Sequence, residues 1–419
     1  MREEFVRKIR ISRRSAVGGL LASTLAAPMV RGQGAPIRIG CMQTLSGSLA
    51  DIGKAHLLGA QIAVKQVNAA GGIDGRQIEL VVRDPKFSPA EGVTHLRELA
   101  GSGHNLIVGE AFSHINLATA PLAPQLNVVL SSPSTILMQL TKELYNRNFF
   151  RVGPNSYMQY NGETTLMARQ YPDVIRWGGV QNDSAGFKEG WDFMTSTMKV
   201  NYKKYANKDV TILDPVLAKP GTTDFRTAIN QLGGQNLQGF ICMLAGGEAI
   251  TFLKQAKPFG LLQSVKAVAD NALGVLAGSG LKQDVPENFV TSLHWYEDAY
   301  KQYPLVADFA KAWKEEMKEP YVNHFSAFGH TAVMGYVGAI KAAKATTTEA
   351  VIGALETITF DSVFGPISYR KEDHQLKVGP GYMQFGPQAA EPGFRHVKFT
   401  RIAPEDAMEP ATPGVAFKL

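Results

Sequence analysis

From Asn105 to Asn127 the chain reads NLIVGEAFSHINLATAPLAPQLN. The side chain here best placed for chemistry is the hydroxyl of Ser113. It follows an apolar run, Leu106-Ile107-Val108, and a short polar turn, and it opens a helix-compatible pattern. A hydroxyl at that position can accept from the unpaired N–H groups of a first helical turn. The same N–H groups, at the positive end of the helix dipole, favour an anion such as a carboxylate. A strand running into a helix start at its C-terminal edge is also where open α/β sheets bind ligands. An ordinary capping serine has the same local sequence, so its surroundings must decide between the two.

Other chemistry finds little support. There is no GxSxG elbow, no GxxxxGK[ST] loop and no GxGxxG after a strand. Gly101-Ser102-Gly103 follows a helix, the wrong context for a phosphate loop. Glu315 and Glu316 are neighbours on a helical pattern and point apart. The two cysteines, Cys41 and Cys242, fall in separate strand patterns and are expected to stay unbonded. No histidine or cysteine cluster has metal-ligand spacing. An enzyme, a metal and a cofactor are therefore not expected.

The elements that must position Ser113 begin after a distinct leader. Residues 1–34 carry Arg2, Arg7, Lys8, Arg10, Arg13, Arg14 and Arg31 against Glu3 and Glu4, followed by an apolar run over 16–30. That is the layout of an export signal, and Ser12-Arg13-Arg14 resembles the twin-arginine type. Pro28 interrupts the run, which is short for a membrane anchor. Without the leader the chain keeps 36 basic and 35 acidic residues, so the formal +6 is no nucleic-acid signature. A length of 419 residues, 45% of them hydrophobic, is ample for two folded lobes.

Strands are expected over 36–42, 78–82, 106–108 and 128–130. The helix between the first two is marked by Ala60, Ala63, Val64 and Val67 and stopped by Gly71-Gly72. Residues 149–154 read as a crossover to a second unit of strands (177–181, 210–213, 237–244, 265–269) with helices between, one capped by Thr223. Residues 289–295 are long enough to pass back, with Trp295 the tryptophan best placed to reach a cleft. Helices follow over 305–318, 325–343 and 347–357, and 365–369 with 381–385 suggest a terminal β pair. Alternating strands and helices argue for parallel sheets covered on both faces. Repeated crossing predicts a hinge.

Leu45-Ser46-Gly47, Gly53, Gly59-Ala60, the run Val67-Asn68-Ala69-Ala70-Gly71-Gly72-Ile73-Asp74-Gly75-Arg76 and Asp84 form a familiar pattern. It continues through Val108-Gly109, Ala120-Pro121, Ser132-Pro133, Phe150-Arg151 and Gly365-Pro366. It resembles the leucine/isoleucine/valine-binding family of periplasmic proteins, the soluble receptors of ABC importers. The resemblance implies two flavodoxin-like lobes joined by a multi-strand hinge, the type I periplasmic binding protein fold. The expected division is 35–152 with 296–357 for the N-terminal lobe and 153–295 with 358–419 for the C-terminal lobe. It also implies a periplasmic monomer that binds an amino acid or related small carboxylate, aromatic or aliphatic, between the lobes and delivers it to a membrane permease. No nucleic-acid partner is expected.

By the same resemblance, Ser113 and the backbone around it at Phe112 hold the ligand's head group, often a carboxylate. The turn Ser134-Thr135-Ile136 contributes. Ile52, Ile136 and Ala185 replace two tyrosines and a threonine of the branched-chain amino-acid binders, and Phe187 lies close by. Asp270 or Asn271 stands where an acidic residue would receive an amino acid's ammonium group. These replacements make the expected pocket more apolar and suit an aromatic or aliphatic carboxylate. Ala50-Asp51-Ile52 with His56, and Ser113-His114, also resemble short-chain amide and urea receptors of the same superfamily. A ligand sensor on this fold is the remaining alternative.

Overall fold

The structure is a computed structural model describing residues 34–47, 50–244, 246–270, 273–274 and 276–418. The expected leader lies outside them, apart from Gly34. Among the described residues no helix is long and apolar enough to cross a membrane.

The first sheet has five parallel strands, β1 (Ile37–Met42), β2 (Ile78–Arg83), β3 (Leu106–Val108), β4 (Val129–Ser132) and β5 (Phe149–Arg151), in the order β2-β1-β3-β4-β5. Side chains alternate between its faces, as strand geometry requires. Leu106, Val108, Val129 and Phe150 join one apolar cluster, while Ile107, Leu130 and Phe149 join the cluster on the other side.

The second sheet is built from β6 (Arg176–Asn182), β7 (Thr211–Ile212), β8 (Val216–Ala218), β9 (Gly239–Met243), β10 (Ala267–Asp270) and β11 (Phe289–Ser292). Both β7 and β8 pair with β6, and the order onward is β6-β9-β10-β11. The connectivity therefore repeats that of the first sheet. The same sorting recurs here: Phe240, Cys242 and Val268 face one cluster, and Ile241, Met243 and Ala269 the other. Cys41 and Cys242 are buried and unbonded. The helix expected to be capped by Thr223 begins at Arg226, after Phe225.

A hairpin, β12 (Phe360–Ser362) and β13 (Gly365–Ile367), precedes β14 (Gly381–Pro387) and β15 (Phe394–Arg401). This replaces the expected pairing of 365–369 with 381–385. Residues β13 finds its partner across the tight Val363-Phe364 turn, whereas β14 pairs antiparallel with β11 and β15. The lobe division differs too. Phe360, Phe364, Ile367, Tyr369, Leu376 and Val378 pack into the first lobe's core, so 360–378 belongs there rather than with the second lobe. Trp295 also sits in that core. It is 1% exposed, its indole N–H donates to Val363 O at 2.8 Å, and its ring stacks on Tyr300.

The chain passes between the lobes after β5, after β11 and before β14. The connectors run side by side: Leu376 N donates to Arg151 O at 2.8 Å and Leu293 N to Gly381 O at 2.9 Å. Two long helices, Ala50–Ala69 and His324–Ala343, cross at backbone contact beneath the interlobe gap. A Cβ on Gly59 would lie 1.9 Å from Ser326 O, and one on Gly329 would lie 2.0 Å from His56 O. Gly59→Ala is therefore expected to lower stability by about 3 kcal/mol, the cost of forcing packed backbones apart. Gly353→Ala, in the helix Thr348–Leu355 with nothing within 4 Å of its Cβ, should instead stabilise by about 0.5–1 kcal/mol. Urea midpoints of the two variants, moving in opposite directions, provide the check.

Candidate functional site

The lobes enclose a cavity of about 240 Å³. The strands reach it beyond their C-terminal ends. Ser134 and Ile136 follow β4, Pro154 follows β5, and Leu273 and Gly274 follow β10. His294 follows β11, while Asp51 and Ile52 come from the first turn of the helix Ala50–Ala69. The remaining walls combine apolar Leu276, Phe325 and Phe328 with polar Gln159, Ser292, Asn323 and His324. This is the placement that open α/β sheets give their ligands.

Several sequence-predicted residues meet here. Ile52, Ser134 and Ile136 line the cavity. Ile136 is 45% exposed, so its side chain is open to the cavity. Thr135 is buried, and its hydroxyl oxygen lies 3.1 Å from that of Ser113, joining the turns after β3 and β4. Ser113 is the first residue of the helix Ser113–Thr119, and Phe112 occupies the cap position without a side-chain bond. The expected capping hydroxyl therefore points to Thr135 instead, because the extended backbone of Phe112 already makes the turn. Phe112 packs edge-on against Phe87, at 4.9 Å between ring centroids.

Other expected residues are occupied elsewhere. Asp270 is fully buried; its Oδ2 accepts from Thr291 Oγ1 at 2.6 Å and from Leu273 N at 2.9 Å. That carboxylate fixes the turn after β10 and does not line the cavity. Asn271 lies outside the described residues. Ala185 opens the helix Ala185–Asn201, and Phe187 packs against the second lobe's core. His114 packs edge-on against Phe87, with Nε2 3.1 Å from Phe87 O. His56 is fully buried beside Phe325.

Sequence reasoning missed His294, His324, Gln159 and Phe325. His294 sat in a segment read only as a crossover, and His324 immediately before a helix. Each is a lone residue in sequence, and no spacing pattern links them.

A buried acid stands behind the Ser113 turn. Glu110 Oε2 accepts from Thr44 Oγ1 at 2.9 Å and Oε1 from Ala111 N at 2.8 Å. Its carbonyl accepts from Asn116 Nδ2 and Ser132 Oγ, each at 2.7 Å. Burial pushes the Glu110 carboxyl up to about 7, against the opposing pull of those two donors.

The pattern of the periplasmic binding protein family matches residues 36–384. The chain belongs to that family. A leucine-, isoleucine-, valine-, threonine- and alanine-binding protein of Pseudomonas aeruginosa is 24% identical over 375 residues, 88% of this chain and 93% of that one. Among solved structures, a binding protein of that same description from Brucella ovis, in a closed conformation, superposes with a TM-score of 0.76. It is 18% identical and covers 91% of this chain and 99% of its own. A solute-binding protein of an ABC transporter from R. palustris, in complex with benzoate, gives 0.69 at 16% identity over 90% and 99%. The fold is that of type I periplasmic binding proteins, and the family is one of substrate-binding transport proteins rather than enzymes.

Glu110 offers a direct test of the site's electrostatics. Its folded value lies above the ordinary glutamate value of 4.5, so its contribution is intact below pH 4.5 and is lost as pH rises through 7. Glu110→Gln is expected to be near neutral at pH 4.5 and to stabilise by about 3 kcal/mol at pH 8.5. Urea denaturation of both proteins across that range measures the difference.

Proposed function

We propose that this chain is the substrate-binding protein of an ABC importer, exported by the twin-arginine route to the periplasm. It closes its lobes on a small carboxylate with an apolar aromatic or aliphatic body and presents it to the permease. One observation carries the choice of ligand: the acid expected to receive an ammonium, Asp270, is occupied by Thr291 and Leu273, and the cavity walls mix apolar side chains with uncharged polar ones, Asp51 apart. Asp51, the carboxylate that does line the cavity, is solvent-exposed, so water screens it. The head group rests on Ser134, which lines the cavity, with the linked hydroxyls of Ser113 and the buried Thr135 supporting that turn from behind.

The similarity to a protein named for aliphatic amino acids and to one crystallised with benzoate supports both the class and the range of ligand. Short-chain amide reception and ligand sensing on the same fold are the rival readings. The histidines on which amide reception leans, His56 and His114, are packed against Phe325 and Phe87 and do not line the cavity.

A thermal-shift panel of leucine, benzoate, isovalerate and acetamide tests the ligand class. At a hundredfold excess over its dissociation constant a ligand adds about 2.7 kcal/mol to apparent stability. Benzoate or isovalerate should raise the melting temperature; a shift with leucine or acetamide alone overturns the reading. Ser134→Ala should weaken binding of the responding acid by roughly tenfold, the loss of one hydrogen bond to a charged group. Small-angle scattering should record compaction when that acid saturates the protein.

A further inference from the structure

We propose that the floor of the cleft is a hydroxyl-recognition site built from His294 and His324, so that the cargo is a hydroxylated carboxylic acid. This rests on the carboxylate reading above and adds to it the chemistry of the ligand's far end.

The two imidazoles come from different parts of the chain. His294 lies on the connector after β11, and His324 is the first residue of the long helix His324–Ala343. Both line the cavity, with ring centroids 5.6 Å apart and planes nearly perpendicular. Each is about 5% exposed or less, and the Nδ1 atom of each has no hydrogen-bond partner. Leaving such an atom unsatisfied costs about 1–3 kcal/mol, so two on adjacent rings of the cavity wall call for an explanation, and each is reached from the cavity by a turn of its ring. Both lobes close on the spot. Gly274, at φ +51°, brings second-lobe backbone so near that a Cβ there would sit 3.1 Å from His324 Cε1.

The form of the imidazoles selects the group they receive. Burial holds His294 down to about 4, and burial with the neighbouring His294 and His56 holds His324 well below the ordinary histidine range. Both rings are therefore neutral near pH 7. A neutral imidazole has one N–H and one acceptor nitrogen. A hydroxyl, which both donates and accepts, fits such a pair without protonating either ring. A second carboxylate would need that protonation. A metal is not indicated: among the described residues no group of three histidine, cysteine or acidic side chains is arranged to hold one. The apolar body of the ligand lies against Ile52, Ile136 and Phe328, and Ser134 links the head-group end to the floor.

Calorimetric titration with two matched pairs tests this: benzoate against 4-hydroxybenzoate, and 3-phenylpropionate against 3-(4-hydroxyphenyl)propionate. In the wild type at least one hydroxylated acid should bind roughly ten- to a hundredfold tighter than its parent. His294→Phe and His324→Phe should reduce that preference to about twofold or less while the parent acid keeps its affinity. His324→Gln, which keeps a neutral donor and acceptor, should retain most of the preference and serves if the phenylalanine variants fold poorly. Parent acids that bind while the hydroxyl adds nothing, or a preference that survives both phenylalanine variants, overturns the inference alone. If none of the four acids binds, the carboxylate reading falls and this inference falls with it.

Discussion

The site depends on one contact between main chains. The helices Ala50–Ala69 and His324–Ala343 approach until Gly59 meets the carbonyl of Ser326 and Gly329 meets that of His56. Ordinary helix pairs are held some 8–10 Å apart by their side chains. Removing the side chain at both crossing points draws these two together and fixes what lies one turn away on each. On one helix that is Ile52 and His56; on the other it is His324 and Phe325. The cleft floor is thus set by backbone rather than by adaptable side chains, which gives a binding site its pre-organisation.

The hinge is governed by buried charge. Arg151, at the first crossing, is wholly buried and donates to Thr141 Oγ1 at 3.1 Å, to Gln375 Oε1 at 3.2 Å and to the carbonyl of Leu137. Burial lowers its guanidinium to about 10, so it still carries charge at neutral pH. Nearby, Lys142 lies 3.5 Å from Glu409, and Arg370 pairs with Asp373 and reaches Glu409 as well. Glu409 also accepts from Asn155, at the start of the second lobe. Breaking such a set strands a charge in low dielectric, at about 3–5 kcal/mol. Motion between the lobes would have to bend the connectors without separating these partners.

What the sequence could convey divides along the same physical line. The two sheets were readable because buried parallel strands are short apolar runs bounded by turn residues, as at 106–108 and 128–130. The place of the 134–136 turn on the cavity was readable because ligand sites follow strand ends; Ser113, one strand earlier, bonds Thr135 of that turn and does not line the cavity. Asp270 was misjudged because Thr291, which takes its carboxylate, belongs to the next strand in space. The segment 360–378 was misplaced because a hairpin that pairs with itself carries no sign of the lobe it packs on. His294 and His324 could not be joined on paper, since each is a single residue and only the fold makes them neighbours.

The same balance explains why a carrier would use neutral groups. A cleft lined with paired charges would desolvate them on each closure, at several kcal/mol per ion, and would recover that only with a perfectly matched ligand. Hydroxyls, backbone N–H groups and neutral imidazoles have far smaller hydration to lose. Each therefore contributes a modest preference for the closed, occupied state over the open, empty one. On the proposed reading, a site at Ser134 and the two floor histidines would hold its ligand through the sum of several such preferences, and would release it without breaking any single interaction against the full cost of an isolated charge.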